Sequence, residues 1–142
     1  MKPQALRVLI VACLALAGGA RAQIPGVNCT PVEVHNVRTD QGSLLVRAFD
    51  VAADYGKTPA ATMQVRADGE VVRFQLCGLR NGVVAISLFQ DLNGNGTLDR
   101  NAFGIPSEPW GASGKPSAFS APTWETTQVP VDGKPVVVKL AK

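Results

Sequence analysis

The sequence has few of the residues from which small enzymes build active sites. Its 142 residues include one histidine, one tyrosine and three cysteines. His35 falls within a predicted strand, and no Gly-x-Ser-x-Gly nucleophile turn accompanies it. Because a general base needs a positioned partner, the sequence does not indicate catalysis at this histidine. Carboxylate pairs for hydrolysis could be drawn from Asp91, Asp99, Glu108 and Glu125, but the sequence does not show whether any pair has the separation that hydrolysis needs. A small hydrolase is therefore the least favoured class of function.

Long apolar runs are missing as well, except near the N-terminus. Residues 1–22 have the features of a signal peptide: Lys2 and Arg7 precede a short apolar run, and Ala20-Arg21-Ala22 forms a cleavage sequence before Gln23. The apolar run is too short for a permanent transmembrane helix. A lipobox-like sequence ending at Cys13 is a weaker alternative, because the apolar run continues beyond it. We expect an exported protein, periplasmic or secreted, with no transmembrane segment in the mature chain.

An excess of charge of one sign is also missing from the mature chain. The whole chain carries a formal net charge of +3, with 14 basic and 11 acidic residues. Removing the three basic residues of the leader leaves eleven of each sign. Binding of nucleic acid needs a basic stripe or patch, so we expect no nucleic-acid partner.

Helical periodicity is absent after the leader, and alternation of apolar and polar residues dominates. Two hairpins are predicted, one joining residues 32–37 to 44–49 and one joining 63–67 to 71–76 through Asp68-Gly69. Residues 83–89 are almost wholly apolar, which favours a strand covered on both faces. Residues 136–140 form a last strand, and 126–131 a short edge strand.

This pattern predicts an all-β fold. Six or seven short strands without helices are typical of an antiparallel β-sandwich of immunoglobulin-like or transthyretin-like kind, here with one long Pro/Gly-rich loop. Residues 23–142 are enough for a single domain with its own core.

Only Cys29 and Cys77 remain after removal of the leader. Two cysteines in an exported protein predict one disulfide bond. A metal pair is disfavoured, because neither a Cys-x-x-Cys spacing nor a neighbouring histidine supports it.

The most specific motif begins at Asp91, where oxygen-bearing side chains recur at every second residue and glycine occupies the sixth position. Calcium takes six to eight oxygen ligands, and an EF-hand type of loop supplies them with this spacing. The predicted ligands are Asp91, Asn93, Asn95, the Thr97 carbonyl and Asp99.

The match to a calcium loop is incomplete, so a second interpretation stays open. The twelfth position, where an EF-hand has a bidentate glutamate, is Ala102, and Glu108 is the candidate for an extra ligand. Asn-Gly sequences also form plain turns, because Asn and Gly tolerate positive φ.

A proline-rich segment follows, from residue 100 to 130, and it contains two tryptophans. Trp110 and Trp124 would serve a module that recognises a glycan or an envelope protein, because exposed aromatic rings offer flat apolar surface with a polar handle. The alternative is that both rings cover the core beneath the loop.

Four motifs lie between residue 78 and residue 111: Gly78-Leu79-x-x-Gly82, Asp91-x-Asn93-Gly94-Asn95-Gly96-x-Leu98-Asp99, Phe103-Gly104-Ile105-Pro106 and Trp110-Gly111. Together they resemble the bacterial exported family called domain of unknown function 2141. The similarity covers about residue 31 to the C-terminus and implies a small exported β-sandwich with no established activity. It departs from the family pattern at Val83-Val84, where a tyrosine is usual, and at Pro109–Ser113, where Gly-Tyr-Gly-Phe-Ser is usual.

The sequence therefore predicts a non-enzymatic exported β-sandwich whose Asp91–Asp99 loop binds calcium and orders the proline-rich segment beside it. The alternative is a recognition module that uses Trp110 and Trp124. The oligomeric state is left open.

Overall fold

The computed structural model describes residues 28–80, 82–117 and 120–141. The predicted signal peptide, residues 1–22, lies outside the described residues. Eight strands are formed, together with a 3-10 turn at Ala52–Asp54 and one helical turn, α1, at Trp124–Thr127. The strands are β1 Cys29–His35, β2 Ser43–Phe49, β3 Ala61–Arg66, β4 Val71–Cys77, β5 Val83–Asp91, β6 Trp110–Ala112, β7 Gln128–Pro130 and β8 Val136–Lys139.

The strands form two sheets, which confirms the predicted β-sandwich. One sheet has the order β4-β1-β8, and the other has the order β3-β2-β5-β6, with β7 also pairing with β5. All the pairs are antiparallel except β1 with β8, which is parallel. The described residues form eight strands rather than six or seven, because β6, of three residues, forms within the segment predicted as one long loop. β7 lies within the edge strand predicted at 126–131.

Both predicted hairpins are wrong, although the turns are in the expected places. β1 and β2 belong to different sheets, and so do β3 and β4. The two connections cross side by side at one end of the sandwich, where Val37 N–H donates to the Glu70 carbonyl and Asp40 N–H to the Ala67 carbonyl. Val37 and Ala67 are buried there. Apolar residues inside the connections thus carry the chain across the core instead of back along the same sheet.

The core lies between the two sheets and is built from alternate residues of each strand. In β1, Val32 and Val34 face inward, while Glu33 and His35 face outward. The same alternation supplies the other core side chains, which include Leu44, Val46, Val72, Leu76, Val84, Ile86, Leu88, Val136 and Val138.

A disulfide bond joins Cys29 to Cys77, as predicted. The two residues lie opposite one another where β1 and β4 pair. The bond therefore fixes the edge strand of the three-stranded sheet to its central strand. Among the described residues, no helix is long and apolar enough to cross a membrane.

Candidate functional site

The outer face of the five-stranded sheet carries a row of large apolar side chains. Leu45 of β2 lies opposite Phe89 of β5, and Phe89 lies opposite Trp110 of β6. All three are only partly buried. Since adjacent strands are about 4.8 Å apart, the row forms a continuous apolar stripe across three strands.

A more polar row runs beside this stripe. Arg47 of β2 lies opposite Thr62 of β3 on one side and Ser87 of β5 on the other. Ser87 in turn lies opposite Ala112 of β6. The Arg47 side chain is exposed and forms no ion pair with any described residue. A cation thus stands on the face of the sheet next to the aromatic stripe.

An aromatic cluster closes one end of this face. Phe49, which follows Arg47 by two residues, is buried beneath Tyr55, with ring centroids 5.2 Å apart. Trp124 of α1 packs edge-on against Tyr55 at 6.2 Å. Tyr55 lines the groove beside Pro116 and Pro122. Trp124, predicted as a ligand-binding residue, is not among the described residues that line the groove, and it packs against Tyr55, which does.

The opposite end is closed by the last residues of the Asp91–Asp99 motif and by the segment that follows it. Leu98, Ile105 and Pro106 line the groove there. The backbone at Ile105 is held by Asn101, whose Oδ1 accepts hydrogen bonds from the N–H groups of Phe103 and Ile105, at 2.9 and 3.1 Å. The wall is thus fixed by a bonded turn rather than by a loose loop.

The sheet forms the floor and the two walls form the ends of an open groove of about 1360 Å³. This is larger than the usual range for small-molecule pockets, roughly 300–1,000 Å³. The charged residues that line it are Arg47, Arg100 and Lys139, and no described Asp or Glu joins them. The groove therefore combines an apolar stripe with charge of one sign.

The Asp91–Asp99 loop contributes Leu98 to one wall of the groove. Asp91, at the end of β5, is 3 % exposed. Its Oδ1 accepts hydrogen bonds from Gly94 N–H and Asn95 N–H, and its Oδ2 accepts one from Gly96 N–H at 2.7 Å. The carboxylate thus holds three successive backbone N–H groups in the turn.

The remaining predicted ligands meet on the exposed side of the same loop. The side-chain amides of Asn93 and Asn95 both donate to the Asp99 carboxylate, at 2.6 and 2.9 Å. Their carbonyl oxygens accept from Asn95 N–H and Thr97 N–H, respectively. Four predicted side chains, those of Asp91, Asn93, Asn95 and Asp99, are therefore joined in one network, and Thr97 is attached through its N–H and hydroxyl.

Glu108 returns to this loop, as the sequence suggested, but its oxygens bind backbone. Oε1 accepts from Leu92 N–H at 2.8 Å, and Oε2 accepts from Asp99 N–H at 3.1 Å. The side chain is buried and ties both ends of the loop together. Within the described ranges, no three His, Cys, Asp or Glu side chains form a group that could hold a metal ion.

The candidate catalytic groups of the sequence do not converge on the groove. His35 Nε2 lies 2.9 Å from Glu33, which also pairs with Arg73, on the outer face of the three-stranded sheet. Glu125 lies at the start of α1, where its backbone N–H and the Thr123 hydroxyl donate to the carboxylate and lower its pKa. A general acid needs a raised pKa, so Glu125 is not tuned for that role.

Sequence reasoning missed three residues of the groove: Leu45, Arg47 and Phe89. The signal was present in residues 83–89, whose apolar character on both faces indicated a covered outer surface. Arg47 gave no such signal, because a single arginine in an alternating strand reads as an ordinary solvent-facing residue.

The fold and the groove define a small two-sheet β-sandwich domain with a binding-sized depression on one outer face. The chain belongs to the family described as an uncharacterized protein conserved in bacteria (DUF2141), whose model matches residues 32–139. This confirms the resemblance drawn from the sequence. Comparison with curated proteins found no match, and comparison with solved structures found none either.

Proposed function

We propose that this protein is an exported, non-enzymatic binding module whose recognition surface is the groove on the outer face of the five-stranded sheet. The observation that carries the proposal is the row Leu45, Phe89 and Trp110, aligned in register and walled at both ends. Aromatic side chains in concave surfaces supply much of the binding energy in protein recognition. A glycan or an envelope protein is the class of occupant that the tryptophans first suggested.

Two features support binding rather than a purely structural role for this row. The side chains are half-buried although the strands that carry them already have a fully buried inner face. The walls are also held in place by defined contacts, the Asn101 turn on one side and the Phe49–Tyr55–Trp124 cluster on the other. A rigid, preformed surface loses little entropy when a ligand binds.

The proposal is tested by binding measurements on the mature domain, residues 23–142. Fractionated envelope glycans and envelope proteins are screened by thermal shift, and each hit is quantified by calorimetry with wild type, Trp110→Ala and Phe103→Ala. Phe103 is the matched aromatic control, because it is 87 % exposed and does not line the groove. We expect Trp110→Ala to weaken binding at least tenfold and Phe103→Ala to leave it unchanged.

Circular dichroism melts of both variants exclude unfolding as the reason for lost binding. Equal loss in the two variants would place recognition at the exposed turn instead of the groove. Hydrolysis of a bound glycan or peptide would contradict the non-enzymatic assignment.

A second candidate function, stabilisation of the Asp91–Asp99 loop by calcium, is favoured by the convergence of its side chains. Asn93 and Asn95 present the positive ends of their amides to the Asp99 carboxylate, at the point where a cation would be attracted. Calcium would require the two amide oxygens to turn toward Asp99. The proposed consequence is a firmer wall at Leu98, with stability rising by about 2.7 kcal/mol at a hundred times the dissociation constant.

Thermal melts in calcium and in chelator test this candidate, with magnesium as the control for ionic strength. Asp99→Asn should abolish the calcium-dependent rise in Tm with little effect in chelator, because its amide contacts are on the exposed side of the loop. Gly94→Ala should lower Tm in both conditions and keep the rise, since Gly94 has a φ of +76° and open space around it. An identical Tm for wild type in calcium and in chelator would contradict calcium binding and support the interpretation of the loop as a plain turn.

A further inference from the structure

The lining of the groove selects among possible ligands more sharply than the aromatic row alone. On the basis of the proposed binding function, we infer that the occupant is an anionic amphiphile, a hydrocarbon chain carrying a carboxylate or phosphate group. The chain would lie along Leu45, Phe89 and Trp110, and the anionic group would pair with Arg47.

Charge complementarity is the first argument. Arg47 stands in the row next to the apolar stripe, and its neighbours across the strands are Thr62 and Ser87, neither of which carries a charge. Arg100 and Lys139 are the other charged lining residues, and Arg100 already donates to the Gly104 carbonyl at 2.8 Å. Arginine presents a planar fork of donors that fits carboxylate and phosphate groups. An anionic ligand would therefore complement the positive charge of the described groove lining.

The backbone of the floor supplies the second argument, which separates a hydrocarbon chain from a peptide. β2 pairs with β3 and β5, and β5 pairs with β2, β6 and β7, so the central strands have partners along both edges. A peptide laid across these side chains would find few backbone partners for its own N–H and C=O groups, which are costly to leave unpaired. A hydrocarbon chain has no such groups.

The polar inventory supplies the third argument, which concerns neutral glycans. Sugar hydroxyl groups both donate and accept, and acceptor-rich side chains usually meet them. The described lining contains no carboxylate, and Gln64 is its one side-chain amide. An apolar stripe beside an arginine that forms no ion pair with the described residues suits a ligand with one charged end and one apolar body.

The experiment uses calorimetry on the mature domain with four ligands that share a twelve-carbon chain, all below their critical micelle concentrations. The head groups are carboxylate, phosphate, maltoside and trimethylammonium. We expect the two anionic ligands to bind at least tenfold more tightly than the neutral and cationic ones, and their relative affinity identifies the preferred anion. Shortening the carboxylate from twelve to ten carbons should weaken binding about fourfold per CH₂ removed.

Variants then assign the contacts. Arg47→Gln should reduce affinity for the anionic ligands about tenfold and leave the maltoside nearly unchanged, and Arg47→Lys should retain part of the affinity. Arg66→Gln is the matched control, since Arg66 is an exposed arginine of the same sheet that does not line the groove. Trp110→Ala should lower the affinity for all four ligands.

Equal affinity for all four head groups, or equal effects of Arg47→Gln and Arg66→Gln, would overturn the inference. So would failure of all four to bind while a glycan or envelope protein binds in a Trp110-dependent way, an outcome that leaves the proposed binding function intact. If neither the amphiphiles nor any envelope ligand binds through Trp110, both proposals are wrong.

Discussion

Gln90 shows how one buried polar residue connects two parts of this fold. It is fully buried on the inner face of β5, where Ile86 and Leu88 supply apolar core side chains. Its Oε1 accepts from Arg38 N–H, and its Nε2 donates to the carbonyls of Arg38 and Gln41. The side chain therefore replaces the backbone partners that the β1–β2 connection lacks.

Gln90→Leu should lower the free energy of unfolding by about 3 kcal/mol. The substitution roughly keeps the volume but removes the partners of the Arg38 N–H and the Gln41 carbonyl, whereas the Arg38 carbonyl keeps its bond from Gln41 N–H. Each unmet group costs about 1–3 kcal/mol. Urea unfolding measures the loss. Gln75→Leu, at an exposed position of β4, is the control and should change stability by less than about 0.5 kcal/mol.

Gly42 packs against the backbone at the start of the Asp91–Asp99 loop. Its φ is +62°, and a Cβ built there would lie 1.8 Å from the Asp91 carbonyl oxygen. The start of the Asp91–Asp99 loop therefore packs directly on the β1–β2 connection. Only glycine leaves room for that approach.

Gly42→Ala should consequently destabilise the fold more than an ordinary turn substitution does. We expect a loss of about 3 kcal/mol, from the positive φ together with the clash. Gly56→Ala separates the two causes, because Gly56 has a φ of +73° with no atom within 4 Å. Its expected cost is about 1 kcal/mol, and equal midpoints in urea for the two variants would show that the close approach contributes nothing.

At the scale of elements, the three-stranded sheet depends on the pairing of β1 with β4. β4 is an edge strand, and the Cys29–Cys77 bond ties its C-terminal end to the N-terminal end of the central β1. The sequence separation is 48 residues. A bond of that span restricts the unfolded chain strongly.

Replacing both cysteines by alanine should lower stability by about 4 kcal/mol on the chain-entropy model. Guanidinium unfolding of the oxidised protein and of the double variant measures the difference. Mass analysis under non-reducing conditions should show the loss of two hydrogens in the wild type. A double variant with an unchanged midpoint would mean that the strand pairing holds β4 without the bond.

At the scale of the whole molecule, the groove on the outer face depends on a contact between the two sheets. β6 lies beside the end of β8, where Trp110 forms an isolated antiparallel β-bridge with Ala141. A Cβ built at Gly111 would lie 2.7 Å from the Lys139 carbonyl oxygen. The two sheets therefore approach each other closely along that side. Trp110 is positioned by this closure, which places it at one end of the apolar stripe.

Export concerns the whole molecule, and its test is chemical. Protein recovered from the periplasm or the medium should begin at Gln23 on N-terminal sequencing, because the predicted signal peptide ends at Ala20-Arg21-Ala22. Ala22→Lys is expected to block processing, and Thr39→Lys, outside the leader, is expected to leave it unchanged. Recovery of a cytoplasmic chain that retains residues 1–22 would contradict the prediction.

Local chemistry explains what the sequence determined by itself. Alternation with period 2 identified most of the strands, turn residues marked their ends, and two cysteines in the mature chain predicted the Cys29–Cys77 bond. The spacing from Asp91 to Asp99 singled out residues that share one hydrogen-bond network, while their role as calcium ligands stays a prediction. All these features depend on neighbours in sequence or on a composition that leaves one pairing.

Only the tertiary structure decided which strands share a sheet and what lies on the outer face. A turn at Asp68-Gly69 is compatible with a hairpin and with a crossing between sheets, and burial of Ala67 selects the crossing. Leu45, Phe89 and Trp110 come from three separate segments, so their row exists only once β2, β5 and β6 pair in register. The groove is a property of that long-range pairing, because no short stretch of the chain contains its floor and both its walls.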